Sequence, residues 1–293
     1  MSISVKFETF CKNIRMEKTV VDNVSSRYKQ ITKRLNKDFY GTDSDINNSL
    51  YVGSYGRGTA IHVSDIDMLF TLPCSYYWQY DKYTTNGQSQ LLQAVKNSIS
   101  NTYFQTKLKG DGQVVVVEFS DGIKYEIVPC FLNTDQISFT YPDSNNGGSW
   151  KVTKPEHEIN AINTLNNNTN KNLKRLCRMI RAWKDTCNVD MGGLLIDTMA
   201  HKFLKDWEYK NCSYSFYDYM TRDFFKFLSE QNDKQALWYA AGSNQYIYND
   251  GLFVAKAKKA YNNALEAIQY EVKEYEWSAN YKWREIYGNK FPN

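Results

Sequence analysis

The chain has 293 residues, of which 42% are hydrophobic, so it can bury a large core and lies near the length at which one core splits into two. Its 23 Tyr, 15 Phe and 7 Trp residues argue against a disordered chain. The net charge of +4 is compatible with polyanionic ligands such as nucleotides, but it does not by itself indicate binding to nucleic acid.

The sequence also argues against secretion and membrane insertion. The N-terminal stretch MSISVKFETFCKNIRMEK is charged and has no apolar run before a cleavage site, so no signal peptide is expected. No stretch reaches the roughly 18 apolar residues of a membrane span. The six cysteines form no CxxC pair and the three histidines have no metal-ligand spacing. We therefore expect free thiols in a cytoplasmic protein.

The first half of the chain predicts a sheet with flanking helices. Residues 5–37 have apolar side chains every three or four positions, which predicts one long helix ended by Gly41. SLYVGS and SDIDMLFTL are predicted strands, and residues 86–106 are a predicted helix. QVVVVEFSDGIKYEIVPCF predicts a hairpin that turns at SDG, with Pro129 closing its second strand. Residues 142–155 are predicted as a loop because they are rich in Pro, Gly, Asn and Ser.

The second half predicts helices only. The apolar periodicity places them at residues 156–166, 171–186, 192–206, 216–230 and 252–276. The chain is therefore predicted to be an α+β protein with two domains, a core at residues 1–155 and a helical lobe at residues 156–293.

Two aspartates, Asp65 and Asp67, open the second predicted strand. Side chains at positions i and i+2 of a strand point to the same face, so the carboxylates would lie side by side while Ile66 and Met68 point into the core. Like charges at that distance repel, and a divalent cation bound by oxygen ligands relieves the repulsion. The pair alone does not establish a metal site.

A glycine-rich turn, GSYGRGT, precedes this strand. Gly53 lets backbone N–H groups approach an anion closely, and the hydroxyl of Ser54 adds a hydrogen-bond donor. The turn is not a Walker A loop, because no Gly-Lys-Ser/Thr follows. Thr59 is expected to cap or pack the turn, whereas Arg57 faces either phosphate or solvent. His62 is expected to be a surface or packing histidine.

A two-metal site usually needs a third carboxylate, and the predicted hairpin offers Glu126. Its neighbours Tyr125 and Ile127 occupy the apolar positions, so Glu126 faces away from them. The alternative is a solvated glutamate on an edge strand. Glu118 and Asp121 are competing candidates, although Asp121 is more simply a turn residue.

The predicted helix 171–186 has one apolar face and one basic face. On a helical wheel, Leu173, Leu176, Cys177 and Ile180 share the first face, and the second carries Lys171, Lys174, Arg178 and Arg181. Such a basic face could neutralise a triphosphate. A solvated face is the alternative, equally favoured for Lys171 and Lys174, and Lys184 is a poorer candidate because it falls near the apolar side.

In combination, this chain's G-S-x-x-x-G-T, its S-D-I-D and the acidic hairpin residue before IVP resemble the motifs of the DNA polymerase β-like nucleotidyltransferases. More narrowly, the chain resembles the bacterial cGAS/DncV-like nucleotidyltransferases of anti-phage defence. TKPEHEINAIN, LKRLCRMIRAWKD and YKWREIYGNKFP are similar to their helical half. The resemblance covers roughly residues 5–292.

The resemblance implies a polymerase-β-like core, with a mixed sheet, flanking helices and a long N-terminal helix. It also implies an oligoadenylate-synthetase-like helical lobe that would close over the nucleotide, with the active site expected in the cleft between the core and the lobe. A ribose hydroxyl would attack the α-phosphate of an NTP and release pyrophosphate, and two such steps would close a cyclic dinucleotide. The expected substrates are ATP and/or another NTP, with GTP among the nucleotides bound. A cyclic-nucleotide-sensing effector is expected downstream, with neither a membrane nor an obligatory nucleic acid as a partner.

By motif position, the resemblance places Mg²⁺ (or Mn²⁺) on Asp65, Asp67 and Glu126, and the β- and γ-phosphates on Gly53 and Ser54. The chain departs from the family at two positions. Glu126 stands where Asp is usual, and Arg181 stands where a triphosphate-binding Lys is common. Arginine can bind phosphate bidentately, so Arg178 and Arg181 are the candidate phosphate contacts of the helical lobe.

Three other functions stay open. The chain could make linear 2′–5′ or 3′–5′ oligonucleotides or tail an RNA, although it shows no added RNA-binding module and only a modest positive charge. A non-catalytic nucleotide-binding regulator would be expected to have lost a carboxylate. Transfer of a nucleotide to a protein or to a small-molecule antibiotic would require an acceptor besides NTP.

Overall fold

The computed structural model describes residues 1–62, 65–249 and 252–293, which form two compact units. The unit that we call the sheet unit comprises Met16–Arg57 and His62–Glu156. The other, the helical unit, comprises Met1–Arg15, Gly58–Ile61 and His157–Asn293. The predicted domain ranges 1–155 and 156–293 remain a prediction. Within the described stretches, no helix combines the length and the apolar character needed to cross a membrane.

The strands, in chain order, are β1 Ser49–Tyr51, β2 Asp65–Thr71, β3 Lys107–Asp111, β4 Val114–Glu118, β5 Lys124–Leu132, β6 Phe139–Asp143, β7 Ser149–Thr153, β8 Leu237–Tyr239 and β9 Tyr246–Tyr248. The helices are α1 Ile3–Asn13, α2 Lys18–Tyr40, α3 Gly53–Gly56, α4 Cys74–Asp81, α5 Gly87–Ser100, α6 Pro155–Asn167, α7 Asn172–Cys187, α8 Gly193–Asp206, α9 Tyr217–Ser229, α10 Val254–Val272 and α11 Glu276–Tyr287. Short 3-10 turns lie at residues 145–147, 214–216 and 288–290.

The sheet unit is built on a mixed sheet, as the predicted α+β fold requires. Its strand order is β1-β2-β5-β4-β3, and β6 joins β5 to β7. The central pair β2–β5 is parallel, whereas the other pairs are antiparallel. Helices α2 and α5 cover one face of the sheet, and their apolar side chains pack there against those of β2, β4 and β5.

The alternation along β2 decides which side chains reach that core. Ile66, Met68 and Phe70 are fully buried among the side chains of α2 and α5. Leu69 belongs to a separate small cluster with Cys130 of β5. Because strand side chains alternate, Asp65 and Asp67 share the face of Leu69, away from α2 and α5. The residue that precedes β2, Ser64, belongs to the predicted S-D-I-D motif and lies outside the described residues.

The helical unit is centred on α7, whose apolar face is fully buried as the periodicity predicts. Leu173, Leu176, Cys177 and Ile180 have no exposed surface, and they pack in one core with side chains of α1, α8, α9, α10 and α11. The predicted helices at 156–166, 171–186, 192–206 and 216–230 are confirmed with small shifts of their ends. All six cysteines are free thiols.

The prediction of one helix over residues 5–37 is wrong, because the helix breaks at residues 14–17 into α1 and α2. The apolar side chains of the two helices belong to different cores. Phe7 and Phe10 pack in the helical unit, whereas Ile31 and Leu35 pack in the sheet unit. Gly41 does end α2, with the left-handed conformation typical of a helix C-terminus (φ +68).

Three other boundaries were wrong. The predicted loop 142–155 contains the end of β6 and all of β7, joined by a turn in which Asn146 and Gly147 have positive φ angles. The predicted helix 86–106 ends at Ser100 and is followed by β3. Pro129 does not close β5, which continues to Leu132. The last pair of β4 with β5 is Val115–Ile127, so Pro129 lies beyond β4. The missing N–H of the proline therefore removes no hydrogen bond to β4.

The C-terminal prediction extended one helix too far and missed the helix that follows it. The helix predicted at 252–276 is α10, which ends at Val272, and Glu274 then takes a left-handed conformation (φ +60). A further helix, α11, follows at Glu276–Tyr287 and overlaps the segment YKWREIYGNKFP, where only the family resemblance pointed to a helical lobe. The small hairpin β8–β9 was also missed, because its strands have three residues each.

Candidate functional site

The register of the parallel pair β2–β5 places two of the predicted carboxylates opposite each other. Asp67 pairs with Glu126, and Asp65 pairs with Lys124. Neighbouring strands lie about 4.8 Å apart, so paired residues on one face are within side-chain reach. The flanking Tyr125 is fully buried on the α2–α5 side. Glu126 therefore lies on the same face of the sheet as the two aspartates, the face away from α2 and α5.

The three carboxylates influence one another electrostatically. Burial raises the pKa of Asp67 above the ordinary aspartate value, and the negative charge of Asp65 adds to the shift. Burial also raises the pKa of Glu126, followed by repulsion from Asp67 and Asp65. The repulsion predicted from the D-x-D spacing is present, and it extends across the strand pair to Glu126. A bound cation would favour the ionised forms of all three groups.

The competing carboxylates of the hairpin are engaged elsewhere. Glu118 accepts a hydrogen bond from Lys107 at 2.6 Å, and that bond lowers its pKa. Asp121 forms a salt bridge with Arg27 at 2.8 Å and accepts the N–H of Ile123 within the turn. Asp121 is thus the turn residue that the sequence predicts, and Glu126 is the third carboxylate of the cluster.

The glycine-rich turn lies directly against Asp67. The N–H of Val52 donates to the carbonyl of Asp67 at 2.9 Å, and α3 begins at the next residue. Gly53 has a φ of +61°, and a Cβ atom there would lie 1.8 Å from Oδ2 of Asp67. Only glycine fits both conditions, so the turn and the carboxylate are in contact because residue 53 has no side chain. Ser54 occupies the second position of α3.

Arg57 follows α3 and is only 5% exposed, which excludes the solvent-facing alternative. The positive charge of Arg57 lowers the pKa of Asp67 and so opposes the effect of burial. Its N–H donates to the carbonyl of Gly53 at 3.1 Å and closes the turn. His62 is exposed, as expected of a surface histidine.

The cations predicted on helix α7 have different environments. Lys171 lies before the helix in a left-handed conformation, and its ammonium group donates to the side chain of Asn167. Lys174 is half-buried, and both burial and the nearby Arg178 lower its pKa. Burial and the charge of Arg15 lower the pKa of Arg178, which donates to the carbonyl of Gly58 at 2.7 Å. Lys174 and Arg178 therefore form a cationic cluster in which like charges repel.

Arg181 is enclosed within the helical unit. Its guanidinium group donates to Asp197 through two bonds, of 2.6 Å to Oδ1 and 3.0 Å to Oδ2. It also donates to the carbonyl oxygens of Cys177 and Gly193. Arg181 is 8% exposed and Asp197 1%. This arrangement does not favour the predicted phosphate contact, since Asp197 and two carbonyls already occupy the guanidinium group.

Sequence reasoning missed Asp197. The residue is the one acid within the apolar stretch GLLIDTMA of α8, and a lone acid on a buried face needs a cationic partner. That signal could have pointed to Arg181, one helix earlier. Thr59, which was expected to pack, is fully buried and donates its hydroxyl to Oδ2 of Asp197 at 2.9 Å.

The donors of the carboxylate cluster fit a divalent cation in kind. They are oxygen atoms on one face of two adjacent strands, and the charge of Asp65 raises the pKa of both Asp67 and Glu126. Within residues 1–62, 65–249 and 252–293, no three carboxylate, histidine or cysteine side chains are already gathered as a metal centre. Metal ligation by Asp65, Asp67 and Glu126 therefore stays a prediction.

Comparison with known proteins agrees with this reading of the fold. Residues 1–166 match the family model described as the Second Messenger Oligonucleotide or Dinucleotide Synthetase domain. No curated protein sequence matches the chain.

Several solved structures share the fold at low sequence identity. CdnC of E. coli MS115-1, solved with ATP, is 15% identical, with 98% of each chain covered and a TM-score of 0.71. The CD-NTase CdnG of Bradyrhizobium diazoefficiens, solved with GTP, is 9% identical, with 97% of this chain and 94% of that chain covered and a TM-score of 0.66. The Vibrio cholerae cyclic AMP-GMP synthase DncV is 13% identical, with 99% and 88% covered and a TM-score of 0.61.

Proposed function

Because the chain belongs to the Second Messenger Oligonucleotide or Dinucleotide Synthetase family, we propose that it is a Mg²⁺-dependent nucleotidyltransferase that joins NTPs into a cyclic di- or oligonucleotide and releases pyrophosphate. The product would act as a second messenger in anti-phage defence and would be sensed by a downstream effector in the cytoplasm. The observation that carries the proposal is the pairing of Asp67 with Glu126 on adjacent parallel strands, with Gly53 against Asp67.

The carboxylate cluster supplies the metal ligands in this proposal. Asp65 and Asp67 would hold the Mg²⁺ ions and Glu126 would complete the site, once the side chains turn towards a common ion. The ions would neutralise charge on the phosphates and lower the pKa of the attacking hydroxyl. Glu126, which the strand pairing sets beside Asp67, would help to activate that hydroxyl as the third carboxylate. The extra methylene of Glu126 relative to Asp extends its reach.

The turn and helix α7 supply the phosphate contacts. The backbone N–H groups of α3 and the hydroxyl of Ser54 would donate to the β- and γ-phosphates. We assign the positive charge for the triphosphate to Lys174 and Arg178, because an anion would relieve the repulsion that Arg178 exerts on Lys174. Arg181 is not needed for this role, because its charge is already compensated by Asp197.

ATP and GTP are the first substrates to test, since the similar CdnC and CdnG structures contain them. The purified chain is incubated with all four NTPs and Mg²⁺ or Mn²⁺, and the products are analysed by mass spectrometry before and after phosphatase treatment. A phosphatase-resistant product is expected from the wild type. Asp67→Asn should abolish it, and Asp121→Asn, which removes a carboxylate of the same unit that is paired with Arg27, should not.

The outcomes separate the alternatives. Phosphatase-sensitive oligomers with a 5′-triphosphate would show a linear synthase instead of a cyclising enzyme. Equal NTP binding by wild type and Asp67→Asn, without any product from either, would favour a non-catalytic regulator. Product formation that requires an added protein or small molecule would indicate nucleotide transfer to that acceptor. Activity that survives in Asp67→Asn would contradict the assignment of the site.

A further inference from the structure

A four-residue segment directly after the glycine-rich turn packs into the helical unit. We call this segment, Gly58–Ile61, the anchor segment; the preceding Gly53–Arg57 belongs to the sheet unit. Within the anchor segment, Thr59 is fully buried and Ala60 is 5% exposed. Ile61 packs against the core of the helical unit. The chain therefore leaves one unit for four residues and then returns to it.

Polar contacts fix the anchor segment at two successive residues. Nη2 of Arg178 donates to the carbonyl of Gly58 at 2.7 Å. The hydroxyl of Thr59 donates to Oδ2 of Asp197 at 2.9 Å. The same Oδ2 accepts a second bond, at 3.0 Å, from Arg181. Asp197 thus joins a backbone segment to helix α7 through a single carboxylate.

The network is buried, and burial of an ion pair does not by itself indicate a gain in stability. Removing two charges from water is costly, and a buried ion pair is often no more stable than apolar residues of the same size. Its gain is geometric, because each partner is held in one orientation by several bonds. Arg181 holds Asp197 by two bonds, so the second oxygen of Asp197 is presented to Thr59 in a fixed direction.

The position of Thr59 in the chain connects this network to the glycine-rich turn. Arg57 closes the turn through its N–H bond to the carbonyl of Gly53. One peptide bond joins Arg57 to Gly58, which has a left-handed φ of +68°. Holding Gly58 and Thr59 therefore restrains the end of the turn. Without that restraint, the backbone N–H groups at Gly53 and Ser54 would lose part of their fixed arrangement.

We propose that Asp197, held by Arg181, is a positioning residue that orders the glycine-rich turn through the hydroxyl of Thr59. The proposal rests on the proposed function in that it takes this turn to be the phosphate-binding element. It assigns Arg181 a part in substrate binding that acts through Asp197 and not through contact with phosphate. Substrate affinity should therefore depend on the Thr59 hydroxyl more than the rate of the chemical step does.

The test compares three variants at buried threonine hydroxyls. Thr59→Val removes the hydroxyl and keeps the shape, and Thr59→Ser keeps the hydroxyl. Thr221→Val is the matched control, because Thr221 is also fully buried in the helical unit and shares its hydrogen bond with Tyr287, at 2.9 Å. Amide hydrogen exchange is measured across residues 53–61, and KM and kcat are measured for NTP with Mg²⁺.

Thr59→Val should increase exchange across residues 53–61 and raise KM on the order of tenfold, with a smaller change in kcat. A tenfold change in KM corresponds to the loss of one hydrogen bond to a charged group. Thr59→Ser should restore both values to near those of the wild type. Thr221→Val should lower the thermal stability without changing either. Should Thr59→Val fail to fold, Thr59→Ala carries the same test, because it fits in the space of threonine.

Two results would overturn the inference. One is unchanged exchange across residues 53–61 in a folded Thr59→Val or Thr59→Ala protein. The other is an equal rise of KM in Thr221→Val, which would show a general effect of lost stability. If the wild type makes no product from any NTP, the proposed function fails, while the exchange measurement still decides whether the Thr59 hydroxyl orders the turn.

Discussion

Replacing Gly53 by alanine should separate the contact with Asp67 from the backbone strain of a left-handed residue. The added Cβ would lie 1.8 Å from Oδ2 of Asp67, and real Cβ atoms essentially never approach closer than 3.0 Å. The carboxylate oxygen must therefore move by at least the difference, 1.2 Å. A misplacement of about 1 Å at a reacting group can cost on the order of 100-fold in rate. The φ of +61° adds about 1–2 kcal/mol of strain.

Gly41→Ala is the matched control for this experiment. Gly41 has a similar φ of +68° at the end of α2, and its Cβ would meet no atom within 4 Å. Both variants should be less stable to urea, because alanine is strained in the left-handed conformation. Only Gly53→Ala should also lose nucleotidyl transfer, by about 100-fold at saturating NTP. If Gly53→Ala keeps the activity of Gly41→Ala, the close contact between the turn and Asp67 has no role in the site.

The remaining predictions concern the charges of the site. Glu126→Gln should stabilise the metal-free protein against urea at pH 8 and not at pH 4. The pKa of Glu126 is raised in the folded state, so the wild type loses stability as the pH rises through that pKa, and glutamine does not. An unchanged stability at pH 8 would contradict this prediction. Arg57→Gln should raise the pKa of Asp67 further and move the acid limb of the pH–rate profile upward, so an unmoved limb would refute the charge role of Arg57. Lys174→Gln should weaken NTP binding and reduce its dependence on NaCl in calorimetric titrations, whereas equal effects from Lys171→Gln would disprove the assignment of the cationic cluster.

The sequence predicted those parts of the fold that depend on local periodicity. The strands around Asp65 and Glu126 and the helix α7 follow from alternation and from three-to-four-residue spacing. The break at residues 14–17 could not be predicted in this way, because the segment has no Gly or Pro. The break exists because α1 and α2 pack in different cores, and the choice of core is a tertiary property.

The sequence predicted more of the geometry of the carboxylate cluster than of the cationic cluster. Strand alternation alone orients Asp65 and Asp67, and the apolar neighbours of Glu126 orient it. The pairing of Asp67 with Glu126 needs the strand order, which the hairpin does not give, because β2 and β5 are separated by two helices and two further strands. Sequence reasoning supplied the residue types and their face, and the structure supplied their register.

The cations of α7 show why a helical wheel can mislead about function. A wheel gives the angle of each side chain, and Arg181 lies at the angle of the basic face. Whether a side chain at that angle meets water or another helix depends on what packs there, and at Arg181 it is Asp197 of α8. A lysine could not form the same two-bond fork with that carboxylate. Asp197 inside the helical unit therefore accounts for an arginine at this position. In the proposed function, the charge for a triphosphate comes instead from Arg178 and Lys174, respectively one and two turns earlier on the same helix.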